Sequence, residues 1–483
     1  MLFNSLHFII FFSVVSCLFF ASPRRWRGLL LLVASYWFYI SWEPAYGALL
    51  LLATSTSYFV ARSVHTAKNQ RRKQLLFAAG CTFNLGLLFI FKYFNFFSQH
   101  LSPLFLQGET TPAPVLDLLL PIGISFYTFQ TVGYLADVYR GEQLPEKRFG
   151  KYALFVSFFP QLVAGPIERS KDILPQLDLS RDFDFDRVLS GLRRIGWGFF
   201  KKVVIADRLS VIVDAVYSAP DEQKGPLLVF ATLCFSFQIY CDFSGYCDIA
   251  IGAARILGIR LTENFAHPYF SESVSEFWRR WHITLMSWFR DYVYIPLGGN
   301  RVSLFHQVKN IAIVFTLSGL WHGANMTFVV WGALHALYLA CSLVYNRARG
   351  GKPRKDVSQT FRLLRIVRTF LLVSFAWIFF RADTLDQAMT ILQNLTSGWA
   401  VATSPAVFME LIMDAGLNKI ATSITVCLTV TLLAIQLYRG TRDLADFVES
   451  QTGWIRIATD TFVIFGTILL GQFGHNEFIY FQF

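Results

Sequence analysis

The chain has 483 residues, 54% of them hydrophobic and only 16% charged, against about a quarter charged in ordinary soluble domains. This excludes a water-soluble globular protein and indicates an all-helical, multi-pass membrane protein, whose 50 Phe and 12 Trp suit aromatic-packed spans with Trp at the membrane interfaces. The net charge of +11 sits in short loops between apolar runs, a pattern of membrane orientation and lipid contact rather than of nucleic-acid binding.

Spans need about 20 apolar residues. The candidates are 2–21, 28–42, 46–62, 75–98, 116–138, 188–217, 226–258, 305–321, 324–345, 362–381, 418–438 and 455–472. The first lacks a basic leader and runs directly into Pro23, Arg24 and Arg25, the order of an uncleaved span with its N-terminus outside. Arg24, Arg25 and Arg27, then Lys68 to Lys73, Arg140 to Arg148, the cluster Arg347 to Lys355, and Arg439 with Arg442 all fall on one side. The opposite loops, 42–46, 99–115, 218–225 and 382–417, hold few cations, so both termini are expected to be external. Segments 152–165, with Pro160, and 277–297, with Arg279, Arg280, His282, Arg290 and Asp291, break the alternation and read as re-entrant or interfacial. Irregular backbone at membrane depth must be buried in protein or line a wet cavity, so they are expected to wall an internal chamber. No internal repeat or heptad run is visible, and only 346–356 has linker composition. One membrane domain over 1–483 is the simplest account, with 382–417 long enough to meet a partner.

Three polar clusters interrupt the apolar text. In 316–331, TLSGLWHGANMTFVVW, His322 lies between Gly319 and Gly323, which permit close approach, with Asn325 beside it. An intramembrane histidine is a functional candidate by default; the alternative is an interhelical hydrogen bond. In 276–299, EFWRRWHITLMSWFRDYVYIPLGG, a continuous helix would put Trp278, Trp281 and Leu285 on one face with His282 one step round. Arginines among tryptophans also suit an interfacial helix held by anionic lipid. In 238–248, QIYCDFSGYCD, Tyr240, Asp242, Ser244 and Asp248 lie inside a span, and the carboxylates are expected to pair with arginines of the Trp-rich segment.

A buried neutral imidazole suits general-base removal of a hydroxyl proton as that oxygen attacks a thioester carbonyl. His322 is the candidate base, with His282 or Asn325 to orient it or polarise the carbonyl. No Walker A loop, GxSxG elbow or DHHC-type motif is present. The seven cysteines show neither CxxC pairs nor zinc spacing, so no disulfide framework or metal site is indicated.

Together, PIGISFYTFQTVGYLADVYRG (121–141), FFPQLVAGPIERSKDILPQL (158–177), IYCDFSGYCDIAIGAARILGI (239–259), 263–301, GLWHGANMTFVVWGALHALYL (319–339) and the ending FIYFQF (478–483) carry a resemblance. The chain resembles the membrane-bound O-acyltransferase family, and within it the bacterial branch typified by alginate O-acetylation proteins. The resemblance implies a ring of about 11–13 transmembrane and re-entrant helices around a central tunnel, in a bacterial inner membrane. It maps the family's signature histidine onto His322 and its second polar catalytic position onto His282. Expected substrate contacts are Trp321, Asn325, Arg279, Arg280, Tyr240, Asp242 and Ser244, the arginines toward donor phosphate. No permanent cofactor is implied; acetyl-CoA is the expected thioester donor, and a periplasmic or membrane-anchored esterase-like partner completes transfer to an exported polysaccharide such as alginate. Peptidoglycan or cellulose acetylation is the alternative within this chemistry. A non-catalytic transporter or export scaffold, with the histidines as a proton relay, is the alternative outside it.

Overall fold

The computed structural model describes residues 1–105, 114–350, 358–400, 404–440, 444–473 and 477–479. The basic stretch 351–357, Arg442 and the last four residues of the C-terminal motif, 480–483, lie outside the described residues. Among the described residues every regular element is a helix, and contacts gather into two compact units.

The first unit comprises Met1–Ile195 and Ile249–Glu263. Its helices are α1 (Leu6–Ala21), α2 (Arg24–Ile40), α3 (Pro44–Thr66), α4 (Gln70–Leu88), α5 (Phe94–Phe105), α6 (Ile124–Arg140), α7 (Phe149–Ser157), α8 (Phe159–Leu162), α9 (Ser170–Ile173) and most of α10 (Phe185–Phe199). The second unit comprises Gly196–Asp248 and Asn264–Phe483. It holds α11 (Asp207–Tyr217), most of α12 (Gly225–Ile256), α13 (Val274–Arg280), α14 (Ile283–Phe289), α15 (Leu304–His322), α16 (Met326–Ala348), α17 (Gln359–Arg381), α18 (Leu385–Asn394), α19 (Pro405–Asp414), α20 (Lys419–Arg439), α21 (Leu444–Glu449) and α22 (Gly453–Leu470).

Each predicted span contains a helix. Pro44–Thr66, Gln70–His100, Gly225–Ile256, Met326–Ala348, Gln359–Arg381, Lys419–Arg439 and Gly453–Leu470 are long and apolar enough to cross a membrane, and Leu6–Ala21 is a shorter apolar helix. On α22, Ile464, Phe465, Ile468 and Leu469 stay exposed, an arrangement suited to lipid and costly in water. The chain is a multi-pass membrane protein. Most boundaries shift by a few residues; the largest shift at a span's start is in α6, which begins at Ile124 rather than 116. Pro121 disfavours helix in the residue before it, and Gly123 enters at φ 79°, where a Cβ would lie 2.7 Å from the Leu162 carbonyl oxygen.

The interruption expected in 152–165 is real and entirely buried. α7 ends at Ser157, and α8 is a single turn after it. The freed backbone is met from within the unit: Phe159 N–H donates to Ser35 Oγ at 3.2 Å, and Gln161 Nε2 donates to the Phe155 carbonyl at 2.6 Å. Beyond the break, buried Glu168 accepts from both the N–H and the hydroxyl of Thr262. Burial nonetheless pushes its carboxyl up to about 7, against the downward pull of those donors. The folded state therefore holds this proton more tightly than the unfolded chain. The stability it contributes is complete below the ordinary carboxyl value of 4.5 and is lost as pH rises through about 7. Thermal unfolding from about pH 5 to 8 should show the midpoint falling with pH, and Glu168→Gln should flatten that slope.

In the second unit α15 and α16 form an antiparallel hairpin around glycine contacts. A Cβ on Gly319 would sit 2.2 Å from the Phe328 carbonyl oxygen, and one on Gly332 would sit 2.3 Å from that of Phe315. Close backbone approach through small residues is the usual packing device between membrane helices. Gly332→Leu is expected to destabilise the detergent-solubilised protein by about 1–3 kcal/mol. Gly150→Ala, where nothing lies within 4 Å of the added Cβ, should leave the unfolding midpoint in place.

Candidate active site

The Trp-rich segment is two short helices rather than one. α13 stops at Arg280 and α14 starts at Ile283, with His282 between them at φ 45°, left-handed backbone that non-glycine residues seldom adopt. Trp278, Trp281 and Leu285 therefore do not share one helical stripe. The physical reason is a cap supplied from outside the segment. Asn264 accepts the Ile283 N–H on its carbonyl at 3.0 Å and the Thr284 N–H on Oδ1 at 3.1 Å, satisfying two donors that a helix start otherwise leaves open. Ser273 caps α13 by accepting the Glu276 N–H.

The break turns His282 inward. Its side chain is fully buried; Nδ1 lies 3.2 Å from Asn264 Oδ1, and its ring stands edge-on to Phe243 at 4.8 Å and Trp321 at 5.8 Å. His322 closes α15, where Gly323 continues in extended backbone. Its ring packs edge-on against Trp331 and Phe380, both at 5.2 Å, and lies 6.5 Å from the His282 ring centre. Two histidines 40 positions apart in the sequence thus meet within one unit, both buried and surrounded by aromatic faces.

The other expected contacts divide. Trp321 is 5.0 Å from His322 by ring centres and belongs to the cluster. Asn325 uses both ends of its amide on backbone: Oδ1 accepts the Thr327 N–H at the start of α16, and Nδ2 donates to the Asp383 carbonyl at 2.7 Å. Arg280 pairs with Glu276 at 2.6 Å, and Arg279 donates to Ser275 Oγ at 3.3 Å. The Tyr240 hydroxyl accepts from Gln436 Nε2 at 3.0 Å, and its ring lies 6.2 Å from Trp281.

Asp242 finds its cation on a lysine, not on an arginine of the Trp-rich segment. Between α10 and α11 the helix widens into a π turn, Phe200–Ala206, that buries Lys201 and Lys202. Lys202 pairs with Asp242 and, at 2.9 Å, with Asp207. Lys201 pairs with Asp248 at 2.5 Å and donates to Ser244 Oγ at 2.8 Å. Part of the C-terminal motif seats on this network. Asp242 Oδ2 accepts the Ile479 N–H at 2.8 Å, Lys202 donates to the Glu477 carbonyl at 3.2 Å, and its ammonium lies 4.6 Å from the Phe478 ring centre.

Asp242 and Ser244 therefore hold together this buried network. Sequence reasoning missed Lys201 and Lys202 as partners, although two adjacent lysines inside an apolar stretch were the visible signal. It also missed Asn264, and His335, whose Nδ1 accepts from Trp278 Nε1 at 3.2 Å; nothing local marks either. Lys202→Met leaves two carboxylates without their cation and should cost about 3–5 kcal/mol of stability. Replacing Lys202, Asp207 and Asp242 together by apolar residues should restore part of the loss, as read by thermal unfolding.

An all-helical membrane protein that gathers two histidines among aromatic rings suits acyl transfer, and comparison with known proteins agrees. The family model of MBOAT, the membrane-bound O-acyltransferase family, matches residues 148–382. The probable alginate O-acetylase AlgI of Pseudomonas putida is 36% identical over 502 residues, covering 100% of both chains. The chain belongs to the membrane-bound O-acyltransferase family and is an acyltransferase. The peptidoglycan O-acetyltransferase of Helicobacter pylori is 37% identical over 77% of this chain and 73% of its own length. The teichoic acid D-alanyltransferase of Bacillus subtilis is 30% identical over 57% of this chain and 72% of its own.

Proposed function

We propose that this acyltransferase moves acetyl groups from a cytoplasmic thioester, with acetyl-CoA as donor, through the inner membrane for O-acetylation of an exported polysaccharide of the alginate type. The observation that carries the chemistry is the pair of buried imidazoles, His322 and His282, with ring centres 6.5 Å apart. The polymer class is supported by full-length similarity to a probable alginate O-acetylase, whereas similarity to the peptidoglycan enzyme spans 77% of the chain.

In this reading His322 takes the proton of the attacking hydroxyl as its oxygen bonds to the thioester carbonyl carbon. The tetrahedral intermediate then expels the thiolate, which recovers the proton from the imidazolium. General-base assistance of this kind contributes about 10²–10⁴-fold. His282 orients the base or polarises the carbonyl, and Trp321, Trp331 and Phe380 exclude water that would hydrolyse the thioester. Arg279 and Arg280, on the helix before His282, are the proposed contacts for donor phosphate. The acceptor is an esterase-like protein on the outer side, which passes acetyl to the sugar.

His322→Ala should lower extracellular O-acetyl ester by at least about 100-fold while protein level and membrane insertion stay normal. Undiminished acetylation by that variant would remove the base from this scheme. Purified protein that releases thiol from acetyl-CoA, alone or with its acceptor protein, would support the donor; turnover only with a different thioester would replace it.

A further inference from the structure

We propose that Asn264 is the positioning residue of the acyl-transfer site, holding neutral His282 with its proton on Nδ1 so that Nε2 carries the lone pair. The inference rests on the reading of His282 as part of that site. Asn264 is 1% exposed and His282 0%, so neither relies on bulk water to choose its hydrogen bonds. The orientation of the Asn264 amide follows from its partners. Oδ1 faces the backbone N–H of Thr284 at 3.1 Å, which only donates, and Nδ2 faces Cys247 Sγ at 3.5 Å. The oxygen is therefore the end that meets His282 Nδ1 at 3.2 Å. An amide oxygen only accepts, so Nδ1 is the protonated nitrogen and Nε2 the unprotonated one.

The same residue sets where the ring stands. The Asn264 carbonyl takes the Ile283 N–H at 3.0 Å, and its side chain also takes the Thr284 hydroxyl at 3.0 Å. The first turn of α14 is thus pinned to Asn264 by the two residues that follow the left-handed one. One side chain fixes the tautomer, while its own backbone fixes the break that aims the ring. Which nitrogen of a histidine carries the proton is set by the bond its other nitrogen makes.

This distinguishes the two roles open to His282. The neutral ring accepts at Nε2 and so orients a protonated neighbour or a hydroxyl. It becomes a donor toward a carbonyl oxygen only after taking up a proton, and the Nδ1–H bond to Asn264 persists in that cation.

The test uses the full chain in detergent, labelled with ¹⁵N-histidine, with the His282 signals assigned by subtracting a His282→Ala spectrum. The ring is expected to be protonated at Nδ1 and not at Nε2. Asn264→Leu should abolish that preference and lower extracellular O-acetyl ester in the native host at least about tenfold. Asn264→Asp, which keeps an acceptor in place, should retain the tautomer and most of the acetylation. Protonation at Nε2 in the unaltered protein overturns the proposal, as does an Asn264→Leu protein in which either the tautomer or the acetylation is unchanged. If Asn264→Leu fails to fold, the tautomer of the unaltered protein and the behaviour of Asn264→Asp decide. Full acetylation by His282→Ala would instead overturn the reading of the site, leaving the tautomer assignment standing on its own.

Discussion

A peptide group without a hydrogen-bond partner at membrane depth costs several kcal/mol, and that constraint shapes the breaks on which the histidine cluster depends. At three breaks a polar side chain takes over an exposed donor. Ser35 does so before α8, Asn264 before α14 and Asn325 before α16. The last two breaks carry or adjoin the two histidines. The irregular backbone that brings the two histidines into the interior is therefore possible because asparagines complete its hydrogen bonding.

The same accounting applies to charge. Lys201 and Lys202 are buried, and their ammonium groups are matched by Asp248, Asp242 and Asp207. Ser244, the Ile479 N–H and the Glu477 carbonyl take up further hydrogen-bonding capacity. A buried ion pair is weak evidence of net stabilisation, but breaking it is expensive. The network thus makes the C-terminal residues 477–479 dependent on the π turn between α10 and α11, distant in sequence.

The aromatic surroundings supply what the polar groups do not. Trp331 stacks on Trp377 at 5.8 Å and meets His322 edge-on, while Trp278 is locked by its bond to His335. Rings of this size leave the imidazoles little freedom to turn, and they exclude water from around them. Positioned groups in a dry surrounding are what the proposed general-base chemistry requires.

Much of this was legible in the sequence, because hydropathy is a local property. The helical class, the helix in each predicted span, the exclusion of 152–165 and 277–297 from the regular spans and the prominence of His322 and His282 all follow from runs of apolar residues and what interrupts them. The start of α6 was less legible, since it depends on the left-handed Gly123 packed against Leu162. The break at His282 was invisible, since its cause is Asn264, eighteen positions upstream. Asp242 was recognised as needing a cation, but periodicity could not say that Lys202 rather than an arginine would supply it. The sequence by itself determined where polar groups would enter an apolar environment. Only the tertiary structure decided which of them meet, because a partner brought by folding leaves no mark in the residues beside it.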